Sequence, residues 1–437
     1  MSPLRWLLIV LLTGSLLSCG GLASNSATSS TPPVNNNASG TNALFFGMQM
    51  NTGVLNRQPW PTAQFGTLRL WDTNTAWGEI SSASGVYDWS VLDHWLATAQ
   101  SHGVNDVMYT FGKTPGWASS KPDDTSCAAF WAPGACDPPN DLNPDGTGTD
   151  QHWKDFVTAI ATHAAGRIKY WEGWNEPENP TEWAGTVPQM VRMAKDARAI
   201  ILSIDQNAVL LTPPSQDTWF QQYVAAGGVQ QADIVTIHGY FGVQCGEFPD
   251  PARITDRVNS IQATMAAAGI NGKPLWDTEA SWGDEQTSCF TDQGQRAAFL
   301  AQFYLLHLSA NISRFYWYQW NNDEWGTLWN PAPAPNGTVL EPAIAYKQVY
   351  GWLVGSTLSA PCASNGSVWT CAFTRPNGYQ AEAVWDTSQS CNGGACTTSN
   401  LAVGAQYTKS YDLAGNSSVI SDHTAAIGLK PIWLANQ

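Results

Sequence analysis

Two short stretches of the chain carry carboxylates in a setting where they could do chemistry. One reads Trp171-Glu172-Gly173-Trp174-Asn175-Glu176-Pro177 and the other Trp276-Asp277-Thr278-Glu279. Each is an apolar run that turns polar at its end, as a buried strand does where it reaches the surface. Two carboxylates facing each other across a cleft are what glycoside hydrolysis requires: one protonates the leaving oxygen while the other attacks or activates water. Glu176 and Glu279 suit these roles better than their neighbours. On an extended strand Glu172 lies about 13 Å deeper than Glu176 on the same face, and Asp277 lies about 7 Å below Glu279. Both read as members of a buried polar layer. Glu178 and Glu182 follow the strand and are expected to face solvent.

The elements that would position this pair can be traced along the chain. Eight apolar runs ending in polar, Gly or Pro residues fall at 44–50, 67–72, 106–111, 168–175, 208–213, 233–238, 273–279 and 313–320. Helical patterns lie between most of them, for example at 91–101, 153–165, 189–204, 252–268, 293–308 and 343–354. Strands alternating with helices of this length predict an α/β fold with a parallel sheet, and eight repeats predict a (β/α)8 TIM barrel over 43–354. A doubly wound open sheet is the rival, but no Gly-rich phosphate loop, Walker motif, G-x-S-x-G or H-E-x-x-H occurs. The two glutamates are 103 residues apart, or three units of about 34 residues, which puts them at the ends of strands 4 and 7 on opposite sides of the barrel mouth. From 355 to 437, short alternating segments separated by Asn-Gly and Gly-Gly turns predict a small C-terminal antiparallel β-sandwich domain. It is expected to act as a brace rather than a catalytic part.

The remaining features concern address and class. With 20 Lys+Arg against 35 Asp+Glu, the net charge of −15 excludes a basic nucleic-acid binder. Tryptophan is over-represented, at 23 residues, which predicts flat apolar platforms beyond ordinary core filling. Residues 1–19 read as a signal segment with an apolar centre too short to span a bilayer. Their end, Leu16-Leu17-Ser18-Cys19, looks like a bacterial lipobox with Cys19 as the lipidation site. Residues 20–42 are a Ser/Thr/Asn/Pro-rich flexible tether. The expected address is therefore export, with attachment to a bacterial membrane, in a two-membrane cell the outer one, only through a lipid anchor. Eight further cysteines in an exported chain predict disulfides, although eight allow 105 connectivities. Proximity favours 127–136, 362–371 and 391–396, leaving 245–289.

Taken together, these residues resemble those of the clan A glycoside hydrolases. Asn175-Glu176-Pro177 is similar to the clan's acid/base signature, and Thr278-Glu279 to its nucleophile. The resemblance implies further roles for individual residues. Arg69 on strand 2 would lie near the nucleophile, and Asn175 would hold a sugar 2-hydroxyl. His238-Gly239-Tyr240 is similar to a His-x-Tyr pattern after strand 6, with His238 positioning and Tyr240 touching the nucleophile. Trp317 on strand 8, with Trp320 as a second candidate, would be a sugar platform. Thr114-Pro115-Gly116-Trp117 and Gly85-Val86-Tyr87-Asp88-Trp89 resemble stretches of family 39-like members, and Trp117 and Trp131 in the long loop are candidate platforms too. The implied activity is retaining hydrolysis of a β-linked glycan, with carbohydrate as the only partner and no metal or organic cofactor. Glu176 is expected to hold the proton, its pKa raised by the nearby charge of Glu279. Rival readings are a non-catalytic glycan-binding surface lipoprotein and a transglycosylase using the same residues.

Overall fold

The computed structural model describes residues 40–241, 245–285, 287–333 and 336–437. The signal segment, Cys19 and residues 20–39 of the tether lie outside the described residues.

The eight predicted runs form eight parallel strands. They are β1 (Phe46–Met48), β2 (Thr67–Leu70), β3 (Asp106–Thr110), β4 (Tyr170–Glu172), β5 (Val209–Leu211), β6 (Val235–His238), β7 (Leu275–Ala280) and β8 (Arg314–Trp317). Their hydrogen-bonded order is β5-β4-β3-β2-β1-β8-β7-β6. A parallel bridge between Leu211 and Ile234 joins the two edges and closes the barrel. Strands covered on both faces must be apolar nearly throughout, which is why they read as runs rather than alternations. The lower barrel interior is plugged by Met108, Tyr170, Leu211, Ile234, Trp276 and Tyr316. There Arg314 lies over the Tyr170 and Trp276 rings at 4.4 and 4.2 Å and pairs with Asp106. The mouth is therefore the only open end, and it is where strand ends can deliver chemistry.

The outer layer is α1 (Ser90–Ser101), α2 (Gln151–His163), α3 (Val187–Ile204), α4 (Asp217–Ala225), α5 (Arg253–Ala267), α6 (Gln293–Ser309) and α7 (Glu341–Leu353). Local sequence sets their ends: Thr186 and Gln189 form a reciprocal capping box that starts α3. Helix α6 is buried on nearly every side from Arg296 to His307. A helix apolar all round must be covered all round, and the C-terminal domain supplies the second cover. Among the described residues no helix is long and apolar enough to cross a membrane.

That domain is antiparallel: β9 (Thr357–Leu358), β10 (Ala363–Asn365), β11 (Val368–Arg375), β12 (Tyr379–Asp386), β13 (Cys391–Asn392), β14 (Ala395–Cys396), β15 (Thr398–Ala402), β16 (Lys409–Tyr411), β17 (Ser417–Val419), β18 (Thr424–Gly428) and β19 (Ile432–Ala435). The main sheet runs β9-β11-β12-β19-β16-β17, and the β15–β18 ribbon covers one face around Val384, Ile427 and Leu434. Residues of the opposite parity, Phe373, Trp385 and Trp433, join the barrel's core instead. Trp433 stacks on Trp352 of α7 at 5.6 Å. Alternation along each strand thus serves two different partners. The four disulfides are Cys127–Cys136, Cys245–Cys289, Cys362–Cys371 and Cys391–Cys396, the pairing expected from proximity and elimination.

Candidate active site

Arg69 on β2 points into the barrel and is fully buried. Its Nε donates to Glu172 Oε2 at 2.8 Å. Its Nη1 donates to Gln49 Oε1 at 2.9 Å and to Glu279 Oε2 at 2.5 Å, and its Nη2 to Asn175 Oδ1 at 2.9 Å. One guanidinium therefore serves both the buried layer and the rim. After β4 the chain lifts Asn175 and Glu176 to the mouth. Glu176 has a φ of 36°, a left-handed backbone disfavoured for a residue with a Cβ and more so before a proline. Strain of this kind persists where surrounding contacts hold it. His238 ends β6, and its Nδ1 lies 2.7 Å from Glu176 Oε1. Two residues on, the Tyr240 hydroxyl donates to Glu279 Oε1 at 3.1 Å.

Glu279 faces the mouth because β7 breaks its alternation. Asp277 pairs with Phe315 and with Ile237, yet the next partners are Ala280 with Trp317 and Glu279 with His238. One extra residue on β7 makes a bulge, which turns the following side chains to the other face. Asp277 consequently points outward, accepting from Gly239 N at 3.2 Å and lying 2.8 Å from His307 Nε2 of α6. The expectation that Asp277 sits directly below Glu279 is corrected: both are buried, but on opposite sides of the strand. A Cβ at Gly239 would come within 2.2 Å of Asp277 Oδ2, so the outward carboxylate requires glycine after His238.

One oxygen of Glu176, one nitrogen of His238 and one oxygen of Glu279 lie within 4.8 Å of one another. Double displacement needs its two carboxyls about 5–5.5 Å apart, whereas inversion leaves about 6.5–9.5 Å for a water. The spacing fits the former. The trio has donors enough for a cation, but each carboxylate already holds a cationic or hydroxyl partner. Cys127, Cys136 and Asp137 also converge, but the disulfide leaves no thiolate for a metal.

Protons are not distributed as the sequence suggests. Burial pushes Glu279 up to about 7, against the lowering pull of His238 and Arg69. Burial works the same way on Glu176, but the hydrogen bond and charge of His238, with Arg69, outweigh it and hold Glu176 below the usual value. Burial disfavours the cation of His238, and Glu279 and Glu176 together more than restore it, so its pKa is raised. The expectation of a raised Glu176 is corrected: its pKa is lowered, and the raised member of the pair is His238, 2.7 Å away.

The cleft above these groups measures about 730 Å³. Its aromatic walls are Trp71, Phe130, Trp131, Tyr240, Tyr318 and Trp325. Trp131, a candidate from the sequence, is among them; Trp317, Trp320 and Trp117 are not. Trp317 is fully buried, its Nε1 donating to Gly326 O at 2.7 Å, and it packs on Trp282 and Tyr304. Arg314, Tyr316 and Tyr318 take the inward positions of β8 and its extension, so Trp317 faces the helices. Trp320 is buried in the same core. Trp117 donates to Ser81 O and packs edge-on against Trp77 and His152. Most of the excess tryptophan is thus core, Trp77, Trp95, Trp153, Trp174 and Trp282 included.

The sequence reading missed Trp71, Asp72, Tyr318, Gln319 and Trp325 as wall residues. For Tyr318 the alternation from Arg314 was a usable signal; for Trp325, on a loop, there was none. Tyr318 donates to Asp72 Oδ2 at 2.7 Å across the mouth. Lys113 lies 5.1 and 5.0 Å from the Trp71 and Trp131 rings and is tied to Glu79 at 2.9 Å, which fixes both indoles. Glu182 does not face solvent as expected. It is 8% exposed, lines the cleft and accepts from Asn175 Nδ2 at 3.2 Å. Burial, then the charge of Glu176, pushes it up to about 9. Glu178 also lines the cleft and, mainly through burial, is raised to about 7.

Residues 133–323 match the profile of the cellulase family, glycosyl hydrolase family 5. No curated protein matches the chain. Among solved structures it is similar to a family 39 glycoside hydrolase from Bacteroides cellulosilyticus, with TM-score 0.66 and 18% identity over 90% of this chain and 81% of that one. The family 39 enzyme from Xanthomonas axonopodis pv. citri gives 0.61 and 15%, over 91% and 95%. A monomeric beta-xylosidase from Caulobacter crescentus gives 0.58 and 13%, over 91% and 96%. The barrel thus shares its fold with these glycoside hydrolases, and its central part is similar to the family 5 profile.

Proposed function

We propose that the protein is an exported, membrane-tethered glycoside hydrolase that cleaves β-linkages in a poly- or oligosaccharide by double displacement. The observation that carries this is the Glu176–His238–Glu279 cluster, whose ligand atoms lie within 4.8 Å of one another. Glu279 attacks the anomeric carbon, held by Arg69 at 2.5 Å and Tyr240 at 3.1 Å. Glu176 protonates the departing oxygen, its proton drawn from His238 Nδ1. Water then attacks the glycosyl-enzyme as Glu176 takes its proton and passes it back to His238 Nδ1, releasing the product and restoring both carboxylates. The tethered address is supported by the lipobox-like Leu16-Leu17-Ser18-Cys19 and the polar stretch after it.

Proton NMR of a fresh digest tests the mechanism: the first product should keep the anomeric configuration of the substrate. The opposite anomer would refute Glu279 as nucleophile. Release of Cys19→Ala from the membrane fraction with activity intact would support the address, and membrane retention of that variant would refute it.

A further inference from the structure

We infer that the cleft selects glycans whose sugars around the scissile bond present hydrogen-bond donors and carry no negative charge, neutral or amino-substituted, and that it turns away uronate-bearing chains. This rests on the glycoside hydrolase reading above. Beyond the reacting pair, three acids that can carry charge line the cleft, Asp72, Glu178 and Glu324, while Glu182 beside them is pushed up to about 9 and stays neutral. No Lys or Arg is among the described residues that line it.

The wall also holds acceptors with no protein partner. Gln319, only 2% exposed, has a buried Oε1 without a hydrogen bond, and so do Gln216 at its Oε1 and Glu178 at its Oε2. Burying an acceptor without a donor is costly, so these three oxygens point to a ligand that supplies O–H or N–H groups. A uronate carboxylate has only acceptors to offer.

The nearby cations cannot compensate. Arg69 is fully buried and divided among Gln49, Glu172, Asn175 and Glu279. Lys113 is held by Glu79 and the two indoles, and Arg257 lies over Phe241 at 6.0 Å, outside the lining, its charge directed at Glu178. His238, the one basic side chain among the described residues of the wall, is paired with Glu176. The chain's net charge of −15 adds a long-range field of the same sign.

The test uses three matched β-linked hexasaccharides: a neutral hexose chain, its C6-oxidised uronate form and its 2-amino-2-deoxy form. Hydrolysis and calorimetric binding to the full mature chain are followed at low and high salt. The uronate should show kcat/KM and affinity lower by about tenfold or more, since opposed like charges cost at least 1.4 kcal/mol. High salt should narrow that gap and leave the neutral sugar unaffected, and Glu178→Gln and Glu324→Gln should narrow it too. A uronate processed or bound as well as the neutral chain, or a gap that salt and both variants leave unchanged, overturns the inference. Binding selectivity without hydrolysis of any member would sustain it and refute the hydrolase reading; no binding by any member overturns both.

Discussion

His238 Nδ1 and Glu176 Oε1 lie 2.7 Å apart at the end of β6, and a carboxylate oxygen of Glu279 lies within 4.8 Å of the pair. In the proposed mechanism this geometry makes a pair, not a single carboxyl, the proton donor. Glu279 must be ionised to attack, and with its pKa at about 7 activity should fall as pH drops through that value. The alkaline limb should follow loss of the proton shared by His238 and Glu176. We therefore expect a bell-shaped profile of kcat/KM whose acidic limb lies near 7. His238→Gln should lower kcat about 10- to 100-fold on substrates with poor leaving groups and shift the alkaline limb. An unchanged limb would show that His238 only fills space.

Arg69 pairs with both Glu172 and Glu279. Arg69→Met should leave Glu172 buried without its counter-charge and Glu279 with His238 alone, at a cost of about 3–5 kcal/mol of stability. The same change should move the acidic limb of the surviving activity upward. Urea unfolding and a pH–rate series check the two effects separately.

Glu182 makes a prediction about stability. Its folded-state pKa of about 9 lies above the unfolded value, so the native state binds the proton more tightly. Its favourable contribution is complete below the unfolded value near 4.3 and declines as pH rises towards 9. Glu182→Gln can still accept from Asn175 and cannot ionise. Its melting temperature relative to the wild type should therefore improve steadily from pH 5 to pH 9. A constant difference across that range would contradict the buried, protonated state.

Cys245 and Cys289 tie the loop after β6 to the loop after β7 with a separation of 44 residues. Replacing both with Ser should cost about 4 kcal/mol through the freed loop entropy. The rim beside Glu279 should loosen as well, so KM should rise more than kcat falls. Thermal unfolding and steady-state kinetics of Cys245→Ser/Cys289→Ser measure both.

Glu279→Ala should abolish turnover, and added azide should restore it as a glycosyl azide of inverted configuration. Glu176→Ala should spare substrates with good leaving groups and cost about 100- to 10,000-fold on the rest. Product NMR with and without azide separates the two roles.

The amino-acid sequence by itself determined the eight barrel strands, the C-terminal β domain, the disulfide pairing and the candidacy of Glu176 and Glu279. These depend on short-range quantities: apolar runs, turn residues, cysteine spacing, and a polar residue where such a run ends. The facing of Glu279 was decided by a bulge in β7, which strict alternation cannot reveal because the extra residue appears only against β6 and β8. Trp317 and Tyr318 are both aromatic and adjacent, so polarity did not show which one the barrel turns inward. Glu182 entered the wall because its loop folds back, Trp174 Nε1 donating to Glu182 O at 3.1 Å. The lowered pKa of Glu176 and the raised one of His238 likewise have a tertiary cause. Burial and distance between groups far apart in the chain set the pKa order, and neither is written in residue types or their spacing.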